Sequence, residues 1–382
     1  MKWKISLSEL NFDQREQKVV DQVIKRQWLT MGETVERLET DFAAFTGAKY
    51  AIALSSGTAA LHLAVIALGM KPGDEVIVPS LSFVASSNAI LYAGAKPVFV
   101  DISALDDFNL SCEEVQRKIT AKTKAIMVVH YGGYLADMHW IKRIAKRHRL
   151  HIIEDSAHAI GADLNSKMAG TLGDVGCFSF FSNKNMATGE GGMIVTDNGR
   201  LAGKIKLLRS HGMTSMTLNR FKGHAHSYDV VELGYNYRMT EISAALGILQ
   251  LKKLPPANRK RKALTDLYMS NLEGTGGLSI PFQGYPRKSS HHLFPILLDR
   301  RVNRRQFMEL LKKEGIQSSI HYPPIHRFSY YRKNLKRRQQ ELPLTEHVGA
   351  HEVTLPLYPL LKKKEVAFVC EKVREILPQA KR

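Results

Sequence analysis

The sequence predicts an α/β protein, with a mostly parallel central sheet flanked by helices and a smaller C-terminal α+β lobe. Three observations carry this reading. Short apolar runs rich in Val and Ile alternate with helical patterns over the first two-thirds of the chain. These runs are apolar at every residue rather than every second one, as strands covered on both faces are. Beyond residue 253 the alternation gives way to a mixed pattern.

The elements follow in order. A small-residue turn, Leu54-Ser-Ser-Gly-Thr58, leads into an apolar helix over 59–68. Strands are expected at 76–79, 97–101, 125–130, 151–155 and 192–196, with a helix over 138–150 between the third and fourth. Thr240 is a suitable N-cap for a helix over 240–251. Pro255-Pro256 and the basic stretch Arg259-Lys-Arg-Lys262 follow it, and they place the domain boundary there. The large domain, with an N-terminal segment, then covers 1–253 and the small one 254–382. In the latter we expect a strand at 292–298 and helices over 304–314 and 364–376. The 382 residues suffice for two such cores.

Composition excludes several function classes. With 44% hydrophobic and 24% charged residues the chain reads as an ordinary globular protein. No apolar run approaches bilayer length, so no membrane insertion is expected, and Met1-Lys-Trp-Lys-Ile5 lacks a signal-peptide core. Cys112, Cys177 and Cys370 are scattered and odd in number. This argues against a disulfide framework or a metal cluster and fits a reducing, cytoplasmic setting. The net charge of +19 is concentrated in Arg300-Arg301, Arg304-Arg305, Lys312-Lys313 and the run over 332–338. Either this is a solvated basic face, or its field draws in anions such as a diphosphate substrate. No zinc finger or RNP sequence accompanies it, so no nucleic-acid partner is expected.

The chemistry centres on Lys184, in Gly176-Cys-Phe-Ser-Phe-Phe-Ser-Asn-Lys184 and ahead of Gly189-Glu-Gly-Gly192. A lysine after an apolar strand and before a glycine-rich loop is either a solvated surface charge or partly desolvated, and in the second case its amine gains nucleophilic character. Such an amine forms a Schiff base with a carbonyl or with pyridoxal phosphate (PLP). Four further segments suit a PLP site. Gly57 and Thr58 open a helix whose N-terminus suits a phosphate, although plain capping by Ser55, Ser56 or Thr58 reads the same. Asp155 ends a buried strand, where a carboxylate either pairs with a pyridinium nitrogen or simply caps a turn; His158 follows it. Phe83, after the strand at 76–79, either stacks on a planar ring or fills core. Gly234-Tyr-Asn-Tyr-Arg-Met239 suits anion and sugar contacts, or a packed loop.

In this order and spacing the segments resemble the DegT/DnrJ/StrS family of sugar-nucleotide aminotransferases, PLP enzymes of fold type I. The resemblance runs nearly end to end, through Trp28-Leu-Thr-Met-Gly32, the Ser-Ser-Gly-Thr turn and Pro72-Gly-Asp-Glu-Val-Ile-Val-Pro79. It continues through Gly94-Ala-Lys-Pro-Val-Phe-Val-Asp101, Glu154-Asp-Ser-Ala-His158, Gly234-Tyr-Asn-Tyr-Arg-Met-Thr240 and Leu355-Pro-Leu-Tyr-Pro359. It implies an aspartate-aminotransferase-like fold and the following roles. Lys184 holds PLP covalently and moves protons, Asp155 pairs with the pyridine nitrogen, and Ser179, Gly57 and Thr58 bind the phosphate. Phe83 stacks on the ring, and His158 contacts its hydroxyl. Asn236 reaches the phosphate of a neighbouring subunit, implying a homodimer with shared sites. Dehydratases of this fold carry His at the lysine position, so Lys184 favours transamination.

The resemblance thus implies ping-pong transfer from L-glutamate, leaving 2-oxoglutarate, to the keto-sugar of a nucleotide-diphosphate sugar. His321, Tyr322, His326 and Arg327 of the small lobe, and Arg238, are the substrate-side candidates, with surface-loop roles equally open to each. A cyclitol aminotransferase and a non-catalytic regulatory protein keeping the fold are the alternatives.

Overall fold

Seven strands form the sheet that organises the large lobe, in a computed structural model describing residues 3–214, 227–334 and 341–380. They are β1 (Tyr50–Leu54), β2 (Glu75–Pro79), β3 (Lys96–Val100), β4 (Thr123–Val129), β5 (His151–Asp155), β8 (Val175–Ser179) and β9 (Gly192–Thr196). A small hairpin, β6 (Asp163–Leu164) with β7 (Lys167–Met168), interrupts the sequence. The spatial order is β1-β9-β8-β5-β4-β2-β3. From β8 to β3 every pairing is parallel, whereas β9 runs antiparallel to both β8 and β1.

Both faces of this sheet are covered, as continuous hydrophobicity demands. Val76, Val78, Met127 and Ile153 pack with the helices Gly57–Ala67, Ala85–Tyr92 and Gly199–Arg209. Ile77, Ile126, Val128 and Ile152 face the other way, toward the helices Cys112–Lys118 and Met138–His148. Crossover connections bring the C-terminal ends of β2, β4, β5 and β8 to one edge, where ligands bind in open α/β sheets. The antiparallel β8–β9 turn-back has a long connection, 180–191, and it carries Lys184 across that edge.

The small lobe is an antiparallel sheet, β10 (Leu278–Ser279), β11 (Phe294–Leu298) and β12 (Glu352–Leu355), in that spatial order. The helices Arg304–Lys313 and Lys363–Ile376 cover it. Of the basic run over 332–338, the part after residue 334 lies outside the described residues.

Two expectations need correction. The helix opened by Thr240, whose Oγ1 accepts the Ser243 N–H at 3.2 Å, does not stop before Pro255 but runs over Glu241–Leu272. Each interior proline costs about 3 kcal/mol. Burial on both sides outweighs it: Ala244, Leu251 and Leu254 pack in the large lobe, Leu264, Tyr268 and Leu272 in the small one. A buried ion pair, Lys253 to Glu16 at 2.6 Å, pins the helix just before the prolines. A division at residue 253 therefore cuts a continuous helix. The N-terminal segment also starts in the small lobe, since Lys4 and Ile5 donate N–H bonds to the Gly315 carbonyl at 3.0 and 3.1 Å and Leu357 donates to Leu7 at 3.2 Å.

Candidate active site

A cavity of about 480 Å³ opens at the strand ends, lined by Gly57, Thr58, Phe83, Asp155, His158, Ser179, Lys184, His321 and Tyr322. A wider cavity, of about 720 Å³, lies between the long helix and residues 282–291. Its Lys262 and Lys288 are already held by Asp266 and Asp163, at 2.7 and 2.6 Å. The reactive groups meet in the smaller one.

Lys184 sits in a turn whose N–H donates to Phe181 O at 2.9 Å. The next residue is clamped: Asn185 Nδ2 donates to Asn258 Oδ1 and Ser290 O at 2.9 and 2.8 Å. Burial pulls the Lys184 amine down to about 8, with nearby Asp155 opposing. An amine of that pKa exchanges protons readily near neutral pH.

Asp155 closes β5 and is buried, and burial raises its pKa while the Ser86 hydroxyl opposes. Ser86 Oγ donates to its Oδ2 at 2.7 Å and the Ala157 N–H to its Oδ1 at 3.2 Å. Strand alternation sends the preceding Glu154 to the other face. There it is fully buried, bonded to His130 Nε2 at 3.0 Å and to the N–H groups of Gly170, Leu172 and Gly173 at 2.9, 2.6 and 2.5 Å.

The turn into Gly57–Ala67 forms an anion cradle. Ser56 is the cap, its Oγ accepting the Ala59 N–H at 3.1 Å. The N–H groups of Gly57 and Thr58 have no protein acceptor among the described residues. A Cβ at Gly57 would lie 2.7 Å from Ser179 Cβ, and one at Gly192 would lie 2.3 Å from Ser56 O. Glycine at both positions lets the helix N-terminus, Ser179 and the start of β9 close on one point.

Phe83, 57% exposed, is not core; its ring projects into the cavity 6.0 Å from that of Tyr322. His158 has both nitrogens engaged: Nδ1 accepts the Gly132 N–H at 3.3 Å, and Nε2 lies 3.0 Å from Tyr322 Oη. Burial first, then the Lys184 charge, holds its pKa well below the ordinary value. His321 donates its backbone N–H to Glu352 at 2.7 Å and its Nδ1 lies 2.8 Å from Thr354 Oγ1. Burial and Lys184 push its ring down to about 3, and burial lifts Glu352 to about 8.

Four expected residues lie elsewhere in the chain's own structure. His326 and Arg327, expected on the substrate side, do not line the cavity. Glu346, from the helix Pro343–His351, holds His326 Nε2 at 3.0 Å and Arg327 at 2.7 Å, and Ser80 holds His326 Nδ1 at 2.7 Å. Asn236 is exposed and bridged to Ser210, and neither it nor Arg238 lines the cavity. Their segment does touch the phosphate turn, because the Ser55 N–H donates to Tyr237 O at 2.9 Å. Sequence reasoning missed Ser86, whose only signal was a small polar residue three positions after Phe83.

These residues fit PLP. A helix N-terminus too close to Ser179 for any side chain at Gly57 suits its phosphate, a buried carboxylate suits its ring nitrogen, and a desolvated amine suits its aldehyde.

Comparison with known proteins agrees. The profile of the DegT/DnrJ/EryC1/StrS aminotransferase family matches residues 11–374. The spore coat polysaccharide biosynthesis protein SpsC of Bacillus subtilis is 38% identical over 94% of both chains, and MJ1066 of Methanocaldococcus jannaschii 40% over 94% of both. Helicobacter pylori PseC, an aminotransferase of pseudoaminic acid biosynthesis, superposes with a TM-score of 0.92 at 29% identity, over 99% of this chain and all of that one. The putative sugar aminotransferase Spr1654 of Streptococcus pneumoniae gives 0.92 at 29% identity in its PLP form, over 99% of this chain and 100% of its own. The fold is that of the PLP-dependent aminotransferases of fold type I, and PLP is the cofactor. The chain belongs to the DegT/DnrJ/EryC1/StrS aminotransferase family and is a PLP-dependent aminotransferase.

Proposed function

We propose that the protein moves an amino group from L-glutamate to the keto-sugar of a nucleotide-diphosphate sugar by a ping-pong mechanism, in amino-sugar biosynthesis for surface polysaccharide or secondary metabolites. The observation that carries this is Lys184 and Asp155 in one cavity beneath a helix N-terminus packed too tightly for a Cβ at Gly57. When bound, PLP supplies an electron sink for the pair left behind by a departing proton. Gly57, Thr58 and Ser179 would hold its phosphate, Phe83 would lie against its ring, and Asp155 would keep the ring nitrogen protonated. Lys184 Nζ takes the α-proton of the donor and returns a proton to the carbon two atoms away. Its depressed pKa suits both directions.

On the substrate side, His321 and Tyr322 line the cavity and the basic surface favours a diphosphate. Asn236 and Arg238 serve the site of a second subunit in a cytoplasmic homodimer, a reading supported by their exclusion from the chain's own cavity. The crystal form of DesI with its TDP-sugar product, a structure 28% identical to this chain, supports a nucleotide-sugar substrate. The test is an absorbance spectrum of the holoenzyme. The visible band should bleach with L-glutamate and return with a keto-sugar nucleotide. Indifference to glutamate would refute the donor, and return with a keto-inositol alone would refute the nucleotide sugar.

A further inference from the structure

The proton direction in the His158–Tyr322 pair follows from one asymmetry. A backbone N–H only donates, so the Nδ1 that accepts from Gly132 carries a lone pair. An imidazole with a lone pair on Nδ1 is neutral, and its proton sits on Nε2. Nε2 is the atom 3.0 Å from Tyr322 Oη, so His158 donates and Tyr322 accepts. The phenol proton must then point away from His158. Tyr322 Oη has no other hydrogen-bond partner among the described residues, and its side chain lines the cavity that holds Lys184.

We propose that Tyr322 is a fixed hydrogen-bond donor to the carbonyl oxygen of the substrate, with His158 as the residue that aims it. This rests on the aminotransferase reading above. As nitrogen adds to a carbonyl carbon, negative charge builds on the oxygen, and a donor already oriented toward it stabilises that charge without reorganising. The hydroxyl works by hydrogen bonding and keeps its proton. Burial pushes its ionisation far above the ordinary range.

Around the pair, His292 lies with its ring centroid 4.4 Å from that of His158. Its Nδ1 faces Asn185 Oδ1 at 2.9 Å, and both amide protons of Asn185 are already given to Asn258 and Ser290, so His292 Nδ1–H donates. His292 is thus turned to Asn185, and the Tyr322 hydroxyl is bonded to His158 instead. His321, Lys184 and Asp155 also face the pocket, and the first is held by Thr354.

Two measurements test the assignment. In ¹⁵N-histidine-labelled holoenzyme, the His158 resonances should show a bare Nδ1 and a protonated Nε2. A protonated Nδ1 would overturn the proposal whatever the enzyme's activity. The second is Tyr322→Phe, with thermal melting to show that it folds. Its resting absorbance should match wild type, while single-turnover return of the band with a keto-sugar nucleotide slows by about 10²-fold. A shifted resting spectrum would mean that the proton serves the cofactor's ring oxygen instead, and a rate within twofold of wild type would remove the role. Failure of wild-type enzyme to respond to glutamate would refute that donor alone, since the tautomer remains measurable.

Discussion

Gly57→Ala probes the anion cradle with a single methyl group. The new Cβ would stand 2.7 Å from Ser179 Cβ, 3.1 Å from its Cα and 3.1 Å from its Oγ. Ordinary contact begins near 3.4 Å, so the first contact is short by about 0.7 Å. Neither partner yields easily, because Ser179 is the last residue of β8 and the glycine opens a helix whose next turns are buried. Overpacking of this kind costs about 1–3 kcal/mol of stability. The larger effect is on ligand geometry: displacing the helix by that distance weakens the N–H bonds to a phosphate, each worth about 1.5–3 kcal/mol when charge-assisted. Losing one of them weakens PLP binding by about 10- to 100-fold. Titrating apoprotein with PLP and following the visible band measures this directly, with urea unfolding as the companion. Wild-type affinity together with wild-type stability would refute the packing argument, since the methyl group would have found space that the geometry denies it.

Three further outcomes follow from the same geometry. The Lys184 amine loses its proton near pH 8, so its modification rate by an amine-directed reagent in apoprotein should rise through about 8 and level off above it, where an unperturbed lysine would still be climbing; a midpoint above 10 would contradict the desolvation argument. Glu154→Ala strands His130, two buried N–H groups and the partly buried N–H of Gly173, which should cost at least about 3 kcal/mol in denaturant unfolding. Arg327→Ala should leave KM for the nucleotide sugar within about twofold and cost less than about 1 kcal/mol, as a half-exposed ion pair with Glu346 does; a large KM rise would place Arg327 at the substrate after all.

How far the sequence foretold this molecule depended on the range of the interaction. The strands of the large sheet were legible because burial on both faces leaves continuous apolar runs, and the five segments expected there all form strands, 192–196 as the antiparallel one. Strand β1 was not read. Its antiparallel place beside β9 comes from a pairing between Tyr50 and Thr196 that no local pattern announces. Asp155 and Lys184 stood out because each follows a buried strand, where a charged side chain needs a reason. The surroundings of His326 and Arg327 were illegible for the converse reason: the Glu346 that holds them lies about twenty residues on, and a basic loop looks the same whether or not it already has a partner. The prolines at 255 and 256 misled because local cost is visible in a sequence and the burial that offsets it is not.

That unbroken helix ties the two lobes mechanically. Its first half is bolted to the large lobe and its second half to the small one, so it acts as an axle rather than a tether. Movement of the small lobe, with His321 and Tyr322 aboard, against the wall that bears Lys184 has to be absorbed as bending of that axle. Pro255 and Pro256 each lack the N–H that would tie them to the preceding turn, so the backbone is most compliant there. The two residues that look like a flaw in the helix thus mark the point of least stiffness between the two lobes.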